Sequence, residues 1–363
     1  MAKGDTFTSE KRSFKDQETG HTVHQLTGSD AHDHHTYFTG TSYHPGGERI
    51  VFGSERTGKP NLFEMRLGDG TIRQLTDAED CRPLLACIDP LGQWVYFYDG
   101  DTLKAIDLDS LEERELYTLE EDCRWSSPIS ISDDGLRLAF GLTPIIELET
   151  QTEKIYSGFK EMFARCRRGD VLTLGADGSD CRLATRDECW CGHVNMNPTD
   201  SDMIMYCHEG PWDQVDQRMW IVDSHGTSRR KLREKGPGDA LGHEYWHKDG
   251  VTVGYHGRLD GGETPIFGLI RSDGTDCREY ALPRNSGHCQ SSSDGTLHVC
   301  DGDRRICLIH LEGKEGTFEP LARHDSSMQL QVGHPHPIFT PDDKGVLYTS
   351  DLGGTCNVYV VDL

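Results

Sequence analysis

The chain has 363 residues, and its 37 Lys and Arg stand against 61 Asp and Glu, which gives a formal net charge of −24. A protein that binds nucleic acid presents a basic face, so this charge balance argues against a nucleic-acid partner. The 40 glycines favour many tight turns over a helical bundle, and no run of residues approaches the roughly 18 apolar positions of a membrane-spanning helix, which argues against a membrane partner.

The N-terminal segment, MAKGDTFTSEKRSFKDQETG, is polar and lacks the apolar core of a secretory signal. We therefore expect a cytoplasmic protein. The residues that follow, 19–27, read TGHTVHQLT and carry the pattern of a strand that returns at 70–76. The chain ends at Val360-Val361-Asp362-Leu363, where the last repeat lacks this strand. We expect the N-terminal strand to complete the last repeat and close the structure.

A unit of one turn and several short strands recurs along the chain. Residues 44–77 show it best, with predicted strands at Arg49–Phe52, Asn61–Leu67 and Thr71–Thr76. The corresponding turns lie near residues 45, 90, 133, 198, 248, 293 and 341. Seven units with a period of about 40–50 residues predict an all-β, seven-bladed β-propeller that occupies residues 1–363 as a single domain.

The longest interval between turns contains a helical pattern at 145–170. Ile155, Phe159 and Met162 recur there at helical spacing, which predicts a short amphipathic helix inserted in the third repeat. This insertion is either a cap over the functional face or a connection between two strands.

The sharpest chemical signal is the segment Gln331-Val332-Gly333-His334-Pro335-His336-Pro337. On an extended chain, residues two apart point to the same side, so His334 and His336 can present two imidazoles to one point with Gln331 nearby. The flanking prolines stiffen the segment. Two ordinary hydrogen-bonded histidines would give the same pattern, so this segment by itself leaves a metal site and a structural role open.

Other repeats also begin with histidine, and the first side chains of propeller blades converge at the mouth of the central channel. These residues are His34, His35, His193, His243 and His288. Three imidazoles and one amide oxygen would suit Mn²⁺, Fe²⁺ or Zn²⁺ and leave positions open for a substrate. A single one of these histidines is more often structural, and it is the set that favours a metal site.

Residues 207–220 form a second candidate segment. Arg218 begins a predicted strand between aromatic residues and can offer its guanidinium group to a carboxylate ligand. A salt bridge to Asp213 or Asp216 is the alternative. The chain contains neither a phosphate-binding loop nor a GxGxxG or GxSxG motif, so nucleotide chemistry and serine hydrolysis are not indicated.

The 13 cysteines are an odd number, so at least one is unpaired. Cys189 and Cys191 form the only close pair, and their spacing matches neither a CxxC redox motif nor a zinc-ribbon pair. We therefore expect buried reduced thiols rather than a structural zinc site.

Several segments together resemble the oligogalacturonate lyases, polysaccharide lyase family 22. They are TG–V–LT (19–27), H–YF (34–38), CHEGP–D–VD–RMW (207–220), HEYW (243–246), the His288 segment and Q–HPHP–FTPDD (331–343). The resemblance implies a seven-bladed propeller and a divalent cation, manganese, held by His288, Gln331, His334 and His336. It also implies that His243 is the catalytic base and Arg218 the essential arginine. His34 and His208 lie in matching segments, and we expect them to contact substrate.

The implied reaction is β-elimination in short oligogalacturonides, which gives 4,5-unsaturated uronate products. The partner would be this acidic oligosaccharide, and no obligatory protein partner is evident. Two alternatives remain open at this point: a lyase for another uronate-containing oligosaccharide, and a non-enzymatic propeller module. The set of channel-mouth histidines favours an enzyme because a scaffold does not need it.

Overall fold

A computed structural model describes residues 2–149 and 157–363 of the chain. The described part is all-β, with one α-helix, α1, at Phe159–Arg165, and with short 3₁₀ helices at Pro83–Leu85, Asp260–Gly262 and Gln331–Gly333. No helix in these two ranges has the length and apolar character needed to cross a membrane.

The strands are short and follow one another closely along the chain. In chain order they are β1 Thr6–Phe7, β2 Arg12–Lys15, β3 Thr22–Gln25, β4 Asp33–His35, β5 Arg49–Ser54, β6 Asn61–Arg66, β7 Ile72–Gln74, β8 Cys87–Ile88, β9 Trp94–Asp99, β10 Thr102–Asp107, β11 Glu113–Thr118, β12 Cys123–Trp125, β13 Ser130–Ile131, β14 Arg137–Pro144, β15 Gly169–Gly175, β16 Arg182–Asp187, β17 Cys191–Met196, β18 Met203–His208, β19 Met219–Asp223, β20 Arg229–Lys231, β21 Ala240–Trp246, β22 Thr252–Leu259, β23 Thr264–Arg271, β24 Arg278–Ala281, β25 Cys289–Ser291, β26 His298–Gly302, β27 Arg305–Glu312, β28 Glu315–Arg323, β29 Ile338–Phe339, β30 Gly345–Ser350 and β31 Asn357–Asp362.

The chain divides into two compact units. The first unit comprises Met1–Tyr117, Gly287–His310 and Phe318–Leu363, and the second comprises Thr118–Ser286 and Leu311–Thr317. The sheets of the first unit have the strand orders β1-β7-β6-β5-β4, β11-β10-β9-β8 and β2-β3-β31-β30-β29. Those of the second unit include β12-β14-β15-β16 and β17-β18-β19-β20.

The last sheet has eight strands in the order β21-β22-β23-β24-β28-β27-β26-β25. Strands β21 to β24 pair antiparallel with their neighbours. The step from β24 to β28 is a single parallel residue pair, Ala281 with Glu315. This sheet therefore consists of two four-stranded groups, β21 to β24 and β25 to β28, which are joined by this single residue pair.

The predicted strands of the first repeat are confirmed as β5, β6 and β7. The predicted turns are also present, and five of them contain a glycine with φ between 66° and 75°, a conformation that costs other residues about 1–2 kcal/mol. These glycines are Gly47, Gly92, Gly135, Gly250 and Gly295. Each donates its backbone N–H to the carbonyl three residues earlier, so the recurring sequence pattern is a recurring turn.

The expected pairing of the two chain ends is confirmed. Val23 of β3 lies opposite Val361 of β31, and Gln25 lies opposite Tyr359. The N-terminal strand therefore completes the sheet of the last repeat.

Alternating apolar residues form the core of each unit. In the first unit, Val51, Phe97 and Ile106 are fully buried in one cluster. In the second unit, Ile204 and Tyr206 of β18 belong to one cluster and Met205 to another, because successive side chains on a strand point to opposite faces. Burial of each such side chain contributes about 1.5–3 kcal/mol to the free energy of unfolding. This packing holds the strands, and so the residues at their ends, in fixed positions.

The helix predicted within 145–170 is present as α1. It has seven residues, and Met162 is its buried residue. Ile155, the first residue of the predicted apolar face, lies outside the described residues.

Candidate metal centre and candidate catalytic residues

Three histidines of the first unit meet at one point. Each of His288, His334 and His336 offers a ring nitrogen, and these nitrogens lie within 4.8 Å of one another. All three residues are buried, with 3%, 3% and 1% of their surface exposed. The structure therefore brings these three side chains together, and their role as metal ligands stays a prediction.

The chain brings His334 and His336 together by a turn rather than by a regular strand. Residues Gln331–Gly333 form a 3₁₀ helix, His334 is extended with φ −69° and ψ 138°, and His336 has a left-handed φ of 45°. Strand β29 begins only at Ile338. A non-glycine residue with positive φ is strained, and such residues cluster at functional sites. The two prolines restrict the backbone on either side of this strained residue.

Burial favours the neutral form of His334 and His336, which is the form of imidazole that binds a metal. Burial and the neighbouring His288 lower the pKa of His334 to about 4, and the same causes lower the pKa of His336 well below its ordinary value. Nε2 of His336 is buried with no hydrogen-bond partner among the residues that the structure describes. A buried polar atom without a partner costs roughly 1–3 kcal/mol, a cost that a bound cation would remove.

Asp301 orients His288. Oδ2 of Asp301 accepts a hydrogen bond from Nδ1 of His288 over 2.9 Å, which fixes the tautomer and makes Nε2 the candidate ligand atom. The carboxylate lies so close to Gly287 that a Cβ at that position would be 1.9 Å from Oδ1. Sequence reasoning did not find Asp301, although a carboxylate opposite a ligand histidine in a hairpin is a recognisable signal.

Residues of β4 and of the loop after it pack against one side of the three histidines. Nε2 of His35 lies 3.0 Å from the carbonyl oxygen of Pro335 and so ties β4 to the His334 segment. The ring of Phe38 stacks on His336 at 6.1 Å, and the ring of Tyr37 lies 4.8 Å from the same imidazole. His35, Tyr37 and Phe38 therefore form a buried wall on one side of the centre.

The two remaining first-unit candidates are placed differently from each other. His34 is buried in β4, its Nδ1 lies 3.0 Å from the carbonyl oxygen of His35, and burial lowers its pKa to about 4. Gln331 is exposed at the start of the 3₁₀ helix, and its backbone carbonyl accepts a hydrogen bond from the N–H of His334. His34 as a substrate contact and Gln331 as a fourth ligand stay predictions.

Arg218 of the second unit is paired, but not with the residues that sequence reasoning suggested. Its Nη1 donates to Oε1 of Glu209 over 2.8 Å, and its Nε donates to Oε2 of Glu244 over 3.2 Å. Burial alone would lower the pKa of Arg218, but neighbouring anionic groups raise it well above its ordinary value. Arg218 is therefore a fixed cation, held by the buried carboxylate of Glu244 and the partly buried carboxylate of Glu209.

His243 forms a pair with His256. Nδ1 of His243 lies 2.8 Å from Nε2 of His256, so the two rings share one hydrogen. Trp212 contacts both, with ring centroids 5.1 Å from His243 and 5.4 Å from His256. His256 lies on β22, next to the strand that carries His243, and sequence reasoning missed it because strand register was needed to place it.

His193 and His243 occupy equivalent irregularities in successive sheets. The register between β17 and β18 shifts from Gly192 to Asn195, and the register between β21 and β22 shifts from Gly242 to Tyr245. Both histidines have positive φ, 44° and 51°, and their rings stack with centroids 5.8 Å apart. An extra residue in a strand redirects its side chain, which is how both imidazoles come to one side.

His208 lies at the end of β18 between two carboxylates. Its Nε2 is 2.8 Å from Oδ2 of Asp187, and its Nδ1 is 3.5 Å from Oδ1 of Asp216. Burial alone would lower the pKa of His208, but hydrogen bonds to Asp187 and Cys189 raise it to about 9. His208 as a substrate contact stays a prediction.

Comparisons of the sequence and of the structure with known proteins point to the same family. The family model described as oligogalacturonate lyase matches residues 1–363. An oligogalacturonate lyase of Dickeya dadantii is 27% identical over 387 residues, with 99% of this chain and 98% of that protein covered. An oligogalacturonide lyase of Pectobacterium atrosepticum is 28% identical, with the same coverage. The solved structure of an oligogalacturonate lyase in complex with manganese is 28% identical, with a TM-score of 0.92 over 100% of this chain and 98% of that chain.

Proposed function

The chain belongs to the oligogalacturonate lyase family, and on that premise we propose the residues with which it carries out the family's reaction. It is a metal-dependent lyase that cleaves short oligogalacturonides by β-elimination and leaves a 4,5-unsaturated uronate. The observation that carries the assignment of residues is the buried group of His288, His334 and His336, whose ring nitrogens lie within 4.8 Å of one another.

We propose that these three histidines hold a manganese ion and that the amide oxygen of Gln331 is the fourth ligand. The neutral imidazoles of His334 and His336, the unpartnered Nε2 of His336 and the carboxylate of Asp301 beside His288 support the three histidines as ligands. A related lyase structure contains manganese. When bound, the ion supplies a positive charge that draws electron density from the uronate carboxylate and makes the C5 proton more acidic.

His243 is the proposed general base. It removes the C5 proton of the uronate, a role that typically contributes about 10²- to 10⁴-fold to the rate. Its Nδ1 is engaged by His256 at 2.8 Å, so we assign Nε2 to the proton transfer. His256 is a positioning residue in this proposal because it holds the ring of His243 and its tautomer.

Arg218 is the proposed electrostatic partner of the substrate. Its guanidinium charge stabilises the carboxylate as negative charge accumulates during proton removal. Glu209 and Glu244 hold the guanidinium group in one orientation, so it does not have to reorganise during the reaction. We retain His34 and His208 as proposed substrate contacts.

The bond changes balance without water. The electron pair of the C5–H bond becomes the C4–C5 double bond, and the C4–O bond breaks with its electron pair on the glycosidic oxygen. The proton lost from C5 is matched by the one that the leaving oxygen gains. One cut therefore gives one new sugar end and one unsaturated uronate end.

We further propose that the chain is a single seven-bladed propeller. Five sheets of four or five strands support this count, together with an eight-stranded sheet that contains two four-stranded groups. The 13 cysteines all lie within the described residues and form no disulfide bond, which supports a cytoplasmic location. The acidic oligosaccharide is the only partner in this proposal.

The test measures the rate of elimination from digalacturonate and trigalacturonate. The ultraviolet absorbance of the unsaturated product reports the progress of the reaction. His243→Ala should lose at least about 100-fold in kcat while it retains the metal. The double variant His334→Ala/His336→Ala should lose both metal and activity. His225→Ala and His310→Ala are matched controls because these histidines are exposed at the surface.

Near-normal turnover in His243→Ala would remove the base assignment. Unchanged metal content in the double variant would remove the ligand assignment. If the wild-type chain shows no elimination with manganese present, the proposed reaction is wrong.

A further inference from the structure

A second group of donor side chains lies in the second unit, and the mechanism above does not use it as a group. Asp187, Cys189, Cys191 and His208 each offer one ligand atom, and the four atoms lie within 4.8 Å of one another. Cys191 is fully buried, and Asp187 and His208 are 6% and 8% exposed. Two thiols, one imidazole and one carboxylate are the donor types that zinc takes in tetrahedral protein sites.

Local spacing and strand pairing together create this group. Asp187 ends β16, Cys191 begins β17, and Cys189 lies in the short connection between the two strands. Cys191 lies directly opposite His208 in the antiparallel pair of β17 and β18. His208 follows Ile204 and Tyr206 on one face of its strand, and that face packs in the same cluster as Cys191.

Outer partners hold two of the four donors in place. Oδ1 of Asp216 lies 3.5 Å from Nδ1 of His208, which leaves Nε2 directed at the group. Tyr206 donates its hydroxyl to Oδ2 of Asp187, and Arg229 donates Nη2 to the same oxygen, each over 2.8 Å. A carboxylate behind a ligand histidine and hydrogen bonds to a ligand carboxylate are the usual outer shell of a zinc site.

The charges of the group also fit a dication. Two thiolates and one carboxylate carry three negative charges, which zinc and the guanidinium of Arg229 balance. That guanidinium is fixed over the ring of Trp220 at 4.0 Å. Thiolate ligands select zinc over manganese, magnesium and calcium, which prefer oxygen.

We propose that Asp187, Cys189, Cys191 and His208 form a zinc site, which shares no residue with the His288 centre. This role replaces the substrate contact proposed above for His208, because zinc on Nε2 and Asp216 beside Nδ1 leave neither ring nitrogen for a substrate. The ion replaces the hydrogen bond between Nε2 of His208 and Oδ2 of Asp187 and ties the β16–β17 connection to the end of β18. Its role is structural, because three of its four donors are buried and all four positions are filled by protein atoms. The sequence did not indicate this site, because a Cys-x-Cys pair is not a recognised zinc spacing and His208 reaches the group only through strand pairing.

The site is tested by cobalt substitution in the full-length chain. Cobalt is added to metal-free protein, and the near-ultraviolet absorption that arises only from thiolate ligation is followed. We expect one equivalent of cobalt to give this band and one equivalent of zinc to abolish it. Cys191→Ser and Cys189→Ser should each lose the band, whereas His336→Ala and Cys181→Ser should keep it, since Cys181 is exposed and outside the group.

Stability provides a second readout. In the His334→Ala/His336→Ala background, which removes the other candidate metal centre, zinc should raise the melting temperature by several degrees, and the further change Cys189→Ser should abolish that rise. Cys189 is only partly buried, so this variant should fold even if Cys191→Ser does not. The absence of a thiolate band with cobalt, or an equal effect of zinc on both chains, would overturn the proposal. A Cys189–Cys191 disulfide in protein purified without reductant, with no zinc bound, would overturn it as well.

Discussion

Asp301 offers the sharpest test of how the metal centre is built. The perturbation is Asp301→Asn, which preserves the shape of the side chain and can still accept a hydrogen bond from Nδ1 of His288, now 2.9 Å from Oδ2. It removes the negative charge that makes His288 a better ligand. Loss of such an outer partner typically lowers metal affinity by about 10- to 100-fold, which corresponds to roughly 1.4–2.8 kcal/mol.

We expect Asp301→Asn near the lower end of that range and Asp301→Ala near the upper end. Alanine removes the hydrogen bond as well as the charge and allows the ring of His288 to turn. The assay is a manganese titration of metal-free protein by calorimetry, with Asp303→Asn as the matched control, since Asp303 lies nearby in sequence and pairs with Arg305 at the surface. Manganese affinities of both Asp301 variants within twofold of wild type would refute the reasoning.

The remaining predictions concern the base and the buried histidines. His256→Ala should lower kcat by about 10-fold with little change in KM and should shift the pH profile of kcat, because the ring of His243 loses its 2.8 Å partner; an unchanged profile would leave His256 a purely structural residue. Gly287→Ala should weaken manganese binding, because the new Cβ would lie 1.9 Å from Oδ1 of Asp301. Normal manganese binding by this variant would show that the close contact between residue 287 and Asp301 is not needed. Burial lowers the pKa of His247 from 6.5 to about 4, so the unfolded chain binds a proton at this residue more tightly than the folded chain does. The free energy of unfolding is therefore unaffected by this residue above pH 6.5 and decreases as the pH falls towards 4. His247→Gln should flatten this dependence in urea unfolding curves, and an unchanged slope would contradict it.

The sequence predicted the repeated parts of the fold because they depend on local chemistry. Turn glycines such as Gly47 and Gly295 recur at the same place in five of the seven repeats, since only glycine takes their positive φ without cost. The pairing of β3 with β31 was also predictable, because the last repeat ends without its outer strand. The convergence of His334 and His336 followed from their spacing, although a left-handed residue rather than a straight strand produces it.

Partners on neighbouring strands could not be predicted in the same way. Glu244, which pairs with Arg218, and His256, which pairs with His243, are placed by strand register and by bulges that shift the register within a strand. One extra residue in a strand reverses the side to which every later side chain points. For the same reason His208 could not be joined from the sequence to Asp187, Cys189 and Cys191, which lie within five residues of one another.

The central claim is that three buried imidazoles hold the ion on which elimination depends. The most direct measurement is anomalous diffraction at the manganese edge from crystals grown with manganese. The account predicts a peak within coordination distance of His288, His334 and His336, and its absence in the His334→Ala/His336→Ala variant. A manganese peak bound elsewhere, with these three side chains hydrogen-bonded only to protein, would contradict it.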